Sequence, residues 1–265
     1  MMNQINPMQT SPSVGGGTEA PQTPIAVILA AGMAKRLRPL TDDRPKCLLE
    51  LGGRTLLERT CDALRSHDIN EWVVVTGYRG SQIREFLNGH FPEQTIHYVD
   101  NTDYATTNNI YSLWLARDYA EGHHLVLLDS DILFDPQLLT RLLEEHGDAL
   151  SVCRHPLGDE EMKVVVDKEG RITEISKTCR PEDAMGESVG IEKMTPAYTT
   201  ALYAELEQMI EREGLVDIFY ERAFERLIPQ GHTYRVVDTT AYLSYELDTV
   251  EDFLHANELI KGESK

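Results

Sequence analysis

Residues 25–50 read IAVILAAGMAKRLRPLTDDRPKCLLE, an apolar run that ends in small residues and is followed by Arg36, Arg38 and Lys46. Three cations beyond a glycine turn suit a triphosphate, because arginine can grip two oxygens at once and lysine supplies a mobile point charge. Leu29, Ala30, Ala31 and Gly32 would be the main chain that such a ligand approaches, since small residues leave the backbone open. Taken singly, the parts have plainer explanations. A glycine after a strand ordinarily makes a βα turn, and cations in a loop are ordinarily solvated. Two familiar phosphate loops are excluded: Walker A needs Gly-Lys-Ser or Gly-Lys-Thr, the dinucleotide fingerprint needs a third spaced glycine, and neither is present.

Carboxylates stand at two further places. Asp129-Ser130-Asp131 follows the apolar run 125–128, so an acid at this strand end faces a cleft, or else caps a turn over 132–134. Tyr245-Glu246-Leu247-Asp248-Thr249 precedes a helical pattern over 250–260, where Asp248 or Thr249 is either an N-cap or a source of a ligand oxygen. Magnesium takes oxygen ligands, usually one or two protein carboxylates together with phosphate oxygens and water.

The loop resembles the signature of the nucleoside-triphosphate transferases that activate sugar phosphates and alcohol phosphates, in which Leu-Ala-x-Gly-x-Gly-x-Arg-Leu precedes Pro-Leu-Thr and Pro-Lys. Leu29, Ala30, Gly32, Arg36, Leu37, Pro39, Leu40, Thr41, Pro45 and Lys46 match; Ala34 replaces the usual second glycine, and Lys35 a usual Ser or Thr. If that glycine position takes a positive φ, Ala34 is strained. The resemblance implies that Arg36 and the Gly32 loop hold the β and γ phosphates, that Lys46 holds the α phosphate, and that Mg²⁺ sits on Asp131 and Asp248. Residues 101–113, with Asn-x-x-Tyr and then Asn108-Asn109-Ile110-Tyr111-Ser112-Leu113, resemble the cytidylyltransferase branch acting on phosphocholine, inositol phosphate or aminoethylphosphonate. Hexose-phosphate members more often show Gly-Leu or Gly-Thr there.

That branch implies CTP, with Asn108 and Asn109 at the cytosine edge, since an amide both donates and accepts. The same asparagines could simply cap a helix. Tyr111 and Trp114 are equally open, either core residues or faces for a quaternary ammonium. Lys177 resembles the lysine that holds the acceptor phosphate, though a solvated strand-end lysine is the alternative, and Glu187 and Gly190 match a strand that lines the acceptor pocket. The implied activity is attack of a small phosphate or phosphonate on the α-phosphorus of CTP, with pyrophosphate leaving and no covalent intermediate. Two alternatives remain: a hexose-1-phosphate nucleotidyltransferase using UTP, dTTP or GTP, and a regulator that binds nucleotide or sugar without turnover.

These groups need a frame that converges them. Periodicity predicts strands over 25–31, 72–76, 95–99, 125–128, 189–194 and 234–237, and helices over 55–67, 81–87, 108–119, 136–146, 196–213, 218–227 and 250–260. A hairpin over 164–175 turns at Asp167-Lys168-Glu169-Gly170. Repeating βα units that give way to a hairpin predict an α/β fold: a Rossmann-like mixed sheet sandwiched by helices, of nucleotide-diphospho-sugar transferase type by resemblance. The expectation is a single domain over 25–262, with nucleotide and acceptor halves and a cleft at the carboxyl ends of the strands. Residues 1–24 read as a disordered tail.

Of 265 residues 44 are acidic and 25 basic, and the net charge of −19 argues against nucleic acid or an anionic membrane as partner. Cys47, Cys61, Cys153 and Cys179 lack zinc spacing and read as reduced, buried residues, and the nine histidines form no catalytic constellation. No apolar run reaches spanning length and the first residues lack the pattern of a secretion signal, so a soluble cytoplasmic protein is expected.

Overall fold

The computed structural model describes residues 23–263, so all but the last two residues of the expected tail lie outside the described residues. Strand β1 (Ile25–Ala30) is buried along its whole length, as a strand covered on both faces must be. The short β2 (Glu50–Leu51) and β3 (Arg54–Thr55) lead into α1 (Leu56–Ser66), where the Thr55 hydroxyl accepts from the Glu58 N–H at 3.0 Å and caps the helix. Then come β4 (Glu71–Thr76), α2 (Gly80–His90), β5 (Thr95–Asp100), α3 (Asn109–Leu115), α4 (Arg117–Ala120) and β6 (Leu125–Asp129). β1 pairs in parallel with both β4 and β6, and β4 with β5, giving the order β5-β4-β1-β6. The chain therefore moves outward from β1 and later returns to its other side. Connections on either side of that reversal leave by opposite faces, which opens a crevice at the carboxyl ends of β1 and β6.

The second half holds β7 (Ile132–Phe134), α5 (Pro136–Glu144), β8 (Ala149–Cys153), β9 (Lys163–Val166), β10 (Ile172–Ser176), β11 (Gly186–Met194), α6 (Pro196–Glu207), α7 (Glu221–Leu227), β12 (Arg235–Asp238), β13 (Ser244–Glu246) and α8 (Val250–Glu263). β11 runs antiparallel to β6 and joins the two halves in one nine-stranded mixed sheet. The expected hairpin forms from β9 and β10, with Gly170 at φ 75° in its turn. Alternation along the strands sorts the core into two layers. Val27, Leu29, Val73, Val75, Leu125 and Leu127 pack with α3, α6 and α7, while Ala26, Ile28, Val74, Val126 and Leu128 pack with α1, α2 and α5. Helices thus cover both faces, as the sequence predicts.

Three expectations are corrected. The helix expected over 108–119 breaks at Ala116 into α3 and α4, and the one over 196–213 is α-helical only to Glu207 and finishes as a π turn over Gln208–Arg212. β11 begins at Gly186, not 189. A Cβ on Gly186 would lie 2.5 Å from the Cys153 carbonyl oxygen, so this glycine serves a close approach of two strands and does not end one. β8 was not expected at all, being a five-residue run with Ser151 at its centre, and it is held between β11 and β12. Among the described residues no helix is long and apolar enough to cross a membrane.

Candidate active site

The crevice at the ends of β1 and β6 is a cleft of about 930 Å³, at the upper end of ordinary ligand sites and large enough for a nucleotide with a small second ligand. Leu29, Ala30, Ala31, Gly32, Arg36, Lys46, Asn108, Asn109, Asp131, Lys177, Glu187, Gly190 and Asp248 all line it. Of the three cations named for a triphosphate, Arg38 alone does not line it; its guanidinium pairs instead with Asp42 at 3.4 Å.

The two acidic segments meet because β13 pairs antiparallel with β7, and the Leu247 N–H donates to the Asp131 carbonyl at 3.1 Å. Lys46, carried on the turn after Pro45, reaches between them: its Nζ lies 2.8 Å from Asp131 Oδ2 and 3.0 Å from Asp248 Oδ1. Arg36 also pairs with Asp248. Burial disfavours the Lys46 ammonium, but the facing carboxylates of Asp131 and Asp248 more than offset this, and its pKa is raised above the ordinary lysine value.

The capping alternatives are resolved by the hydrogen bonds. Thr249 Oγ1 accepts from the Asp252 N–H while Asp252 accepts from the Thr249 N–H, a reciprocal box that caps α8 and leaves the Asp248 side chain free for Lys46. Residues 132–134 form a strand, so Asp131 has no helix there to cap. Glu246 joins the pair, and one oxygen each from Asp131, Glu246 and Asp248 lie within 4.8 Å of one another. An all-oxygen set of this kind fits a hard dication such as Mg²⁺. Partial burial, then Asp131 and Asp248, raise the Glu246 pKa above the usual carboxylate range. The sequence reading passed over Glu246. Its position two residues before Asp248 in an extended segment, which puts both on one side, was the available signal.

Residues 31–34 form an irregular loop, and Ala34 takes the left-handed conformation at φ 45°, ψ 53°. Its carbonyl accepts from the Thr41 hydroxyl at 2.9 Å. The strain expected if this position took a positive φ is present. A Cβ on Gly32 would meet nothing within 4 Å, so the loop backbone there is open to the cleft.

Asn108 caps α3, its Oδ1 accepting from the Asn109 N–H at 2.8 Å, and Asn109 Oδ1 accepts from the Tyr220 N–H at 2.9 Å. Both carbonyl oxygens are thus engaged by backbone, which leaves the amide nitrogens as donors toward the cleft. Tyr111 and Trp114 pack against the core layer under α6 and α7, and the Arg117 guanidinium lies 4.9 Å from the Trp114 ring centroid. Neither lines the cleft. The core alternative holds, and an aromatic cage from these two rings is ruled out.

On the opposite wall the Lys177 Nζ is 3.7 Å from Glu160 and 4.6 Å from the Phe219 ring centroid. Glu187 pairs with His155 Nε2 at 2.7 Å; burial raises its pKa and His155 opposes the rise. His155 lines the cleft and was not singled out from sequence. Gly190 has φ 76°, and a Cβ there would come 2.9 Å from Asp129 Oδ2. Asp129 accepts from the Tyr220 hydroxyl at 3.0 Å and makes no ion pair of its own, whereas Asp131, the charge it feels most, pairs with Lys46. Nearby, Glu192 is 0% exposed with neither carboxyl oxygen hydrogen-bonded, and Glu221 is 7% exposed with Oε2 unpartnered. Burial pushes Asp129 and Glu192 well above the carboxylate range and Glu221 up to about 7. A glutamate within the apolar strand 189–194 was the one sequence sign of this group.

The profile of the MobA-like NTP transferase domain matches residues 26–228. The chain is 30% identical over 234 residues to the CMP-5'-(3-aminopropyl)phosphonate synthase of Streptomyces rubellomurinus, covering 86% of this chain but only 37% of that relative's length. It is 29% identical over 210 residues to the CTP:phosphoglutamine cytidylyltransferase of Campylobacter jejuni, covering 72% of this chain and 81% of the other. The solved CTP:phosphocholine cytidylyltransferase of Streptococcus pneumoniae shares the fold, with a TM-score of 0.74 at 21% identity over 89% of this chain and 99% of that one. A UTP–glucose-1-phosphate uridylyltransferase of Haloferax volcanii is also similar, 27% identical with 78% of this chain and 85% of its own length covered. The chain belongs to the MobA-like NTP transferase family and is a nucleotidyltransferase.

Proposed function

We propose that this transferase moves a cytidylyl group from CTP to a small phosphorylated alcohol or phosphonate and releases pyrophosphate. The observation that carries the reading is Lys46 held between Asp131 and Asp248 at the mouth of the Gly32 loop. A phosphate or phosphonate oxygen of the acceptor attacks the α-phosphorus, the bond from that phosphorus to the bridging oxygen breaks, and pyrophosphate departs. The attacking group is already an anion, so alignment and charge neutralisation suffice without a general base.

Lys46 would hold the α-phosphate, Arg36 with the backbone of the Gly32 loop the β and γ phosphates, and Lys177 the acceptor phosphate. Leu29, Ala30 and Ala31 would floor the nucleotide site, and Glu187 and Gly190 the acceptor site. Asp131 and Asp248, joined by Glu246, would hold Mg²⁺, which offsets charge that gathers on the reacting phosphate. The amide nitrogens of Asn108 and Asn109 would donate to cytosine O2 and N3. CTP is favoured by the cytidylyltransferases among the relatives.

A second reading, uridylyl transfer to a hexose phosphate, is supported by the Haloferax relative. Pyrophosphate release measured with each of the four NTPs against phosphocholine, phosphoethanolamine, aminoethylphosphonate, inositol phosphate and glucose 1-phosphate separates the two. Preference for UTP or dTTP with glucose 1-phosphate would overturn the cytidylyl assignment, and turnover with none would favour a non-catalytic regulator.

A further inference from the structure

One part of the cleft is acidic, and Lys177, whose charge Glu221 feels, makes no salt bridge to it. Asp129 at the end of β6, Glu192 on β11 and Glu221 at the start of α7 are electrostatic neighbours. Tyr220 donates its hydroxyl to the first of them. None of the three makes a salt bridge among the described residues. Glu221 lines the cleft while 7% exposed, and its Oε2 has no hydrogen-bond partner. Glu192 stands behind it, 0% exposed, with both carboxyl oxygens unpartnered. A buried carboxylate oxygen without a donor is costly to keep, and an N–H from a bound cation is the group that completes it.

We propose that Glu221, with Asp129 beside it, binds a primary ammonium on the acceptor, which is therefore a short phosphate or phosphonate carrying an –NH₃⁺ group. This rests on the nucleotidyl-transfer reading above and narrows its substrate. Lys177 lines the same cleft and its charge is felt by Glu221, so one small zwitterion can place its phosphate on the lysine and its ammonium on the glutamate. A trimethylammonium has no N–H to give the orphaned oxygen, so the rings that do line the cleft, Phe219 among them, could face it but not complete Glu221. A polyol could donate hydroxyls but brings no positive charge with which a buried carboxylate could be paired.

The test compares acceptors that differ only at this group: 2-aminoethyl phosphate, ethyl phosphate and phosphocholine. Each is titrated calorimetrically into the full chain with Mg²⁺ and a non-hydrolysable CTP analogue, and each is assayed separately with CTP for pyrophosphate release. The wild-type protein is expected to bind the amine at least about ten-fold tighter than ethyl phosphate or phosphocholine, the scale of a charge-assisted hydrogen bond. In Glu221→Gln that ratio is expected to fall below about three-fold while the CTP analogue still binds, the smaller value being what a neutral hydrogen bond leaves. Equal wild-type affinities would overturn the inference, as would an unchanged ratio in the variant. If the variant does not fold, the wild-type ratio decides alone. Pyrophosphate release with equal kcat/KM for amine and amine-free acceptors discards the ammonium site and leaves nucleotidyl transfer standing. No release with any pair discards the transfer reading, and the calorimetric ratio then judges the ammonium site independently.

Discussion

Asp129 and Asp131 stand two residues apart at the end of β6, yet they sit in opposite electrostatic circumstances. Asp131 shares Lys46 with Asp248, and Arg36 also pairs with Asp248, so two carboxylates meet two cations. Asp129 accepts from a tyrosine hydroxyl, and neither it nor its neighbours Glu192 and Glu221 makes a salt bridge among the described residues. The first cluster is preorganised by its own ion pairs, and incoming phosphates must exchange partners with it. The second is left incomplete, which costs stability and is a known way for a binding site to be kept ready. Extended backbone would turn side chains two apart to the same side. The chain separates these two because Asp131 has left the β6 ladder and its carbonyl is taken by Leu247.

Breaking the balanced cluster should have the largest effect. Asp131→Asn or Asp248→Asn is expected to lower turnover by about a thousand-fold, since charge stabilisation at the reacting phosphate is usually the largest catalytic contribution. The melting temperature should change little, because Lys46 keeps one carboxylate. Pyrophosphate release across a Mg²⁺ titration checks this, and near-normal rates at limiting Mg²⁺ would remove both aspartates from the metal site.

Next in size is the contrast between the two cations of the loop. Lys46 is 11% exposed and Arg36 65%, so the lysine charge acts through a less screened medium. Lys46→Ala should cut kcat by about a hundred-fold at saturating substrates, whereas Arg36→Ala should raise the nucleotide KM by about ten-fold with a smaller change in kcat. Steady-state kinetics of the two variants decide it, and the reverse pattern would mean that their roles are exchanged.

The balanced cluster was far more legible in the sequence than the unbalanced one. Leu29 to Lys46 is one contiguous loop, so residue types and order alone bring its chemistry together. Asp248 could be paired with Asp131 only through the resemblance, because its competing role as a cap is settled by a Thr249–Asp252 box that no spacing rule guarantees. Glu192 and Glu221 are contributed by a strand and a helix whose packing is a tertiary event. Periodicity could show only that a glutamate interrupts an apolar strand. Parallel strands were readily found as long apolar runs, while β8, with a serine at its centre, carries too little local signal to be told from a loop.

The unbalanced wall should also be visible in the pH dependence of folding. Burial raises Glu221 from its ordinary 4.5 to about 7, so between these values the folded state holds a proton that the unfolded state has lost. Stability therefore falls as pH rises through that window and levels off above it, with a contribution on the order of 1–3 kcal/mol from this group. Asp129 and Glu192, also shifted upward, act in the same sense. Urea unfolding of ligand-free protein at pH 5 and pH 8 should show a smaller difference for Glu221→Gln than for wild type. Equal differences would show that Glu221 is not held in its neutral form, and the two acid clusters would then be less unlike than their contacts suggest.

The smallest expected effect tests whether the loop beside the balanced cluster is itself strained. Ala34 is left-handed at φ 45°, where glycine is free of the clash between Cβ and carbonyl that an alanine suffers. Relief of that clash, about 1–2 kcal/mol, is opposed by the greater chain entropy a glycine loses on folding, about 0.5–1 kcal/mol. The balance favours Ala34→Gly by about 0.5 kcal/mol, a rise of about 1–2 °C in Tm for a chain of this length. The nucleotide KM should stay within about two-fold, because glycine keeps the same turn and the Thr41 hydroxyl still binds the carbonyl of residue 34. A fall in Tm would show that packing of the Ala34 methyl outweighs its backbone strain. A rise in KM without a fall in Tm would show instead that the stiffness of the alanine, not relief from it, keeps the loop in place beside Arg36 and Lys46.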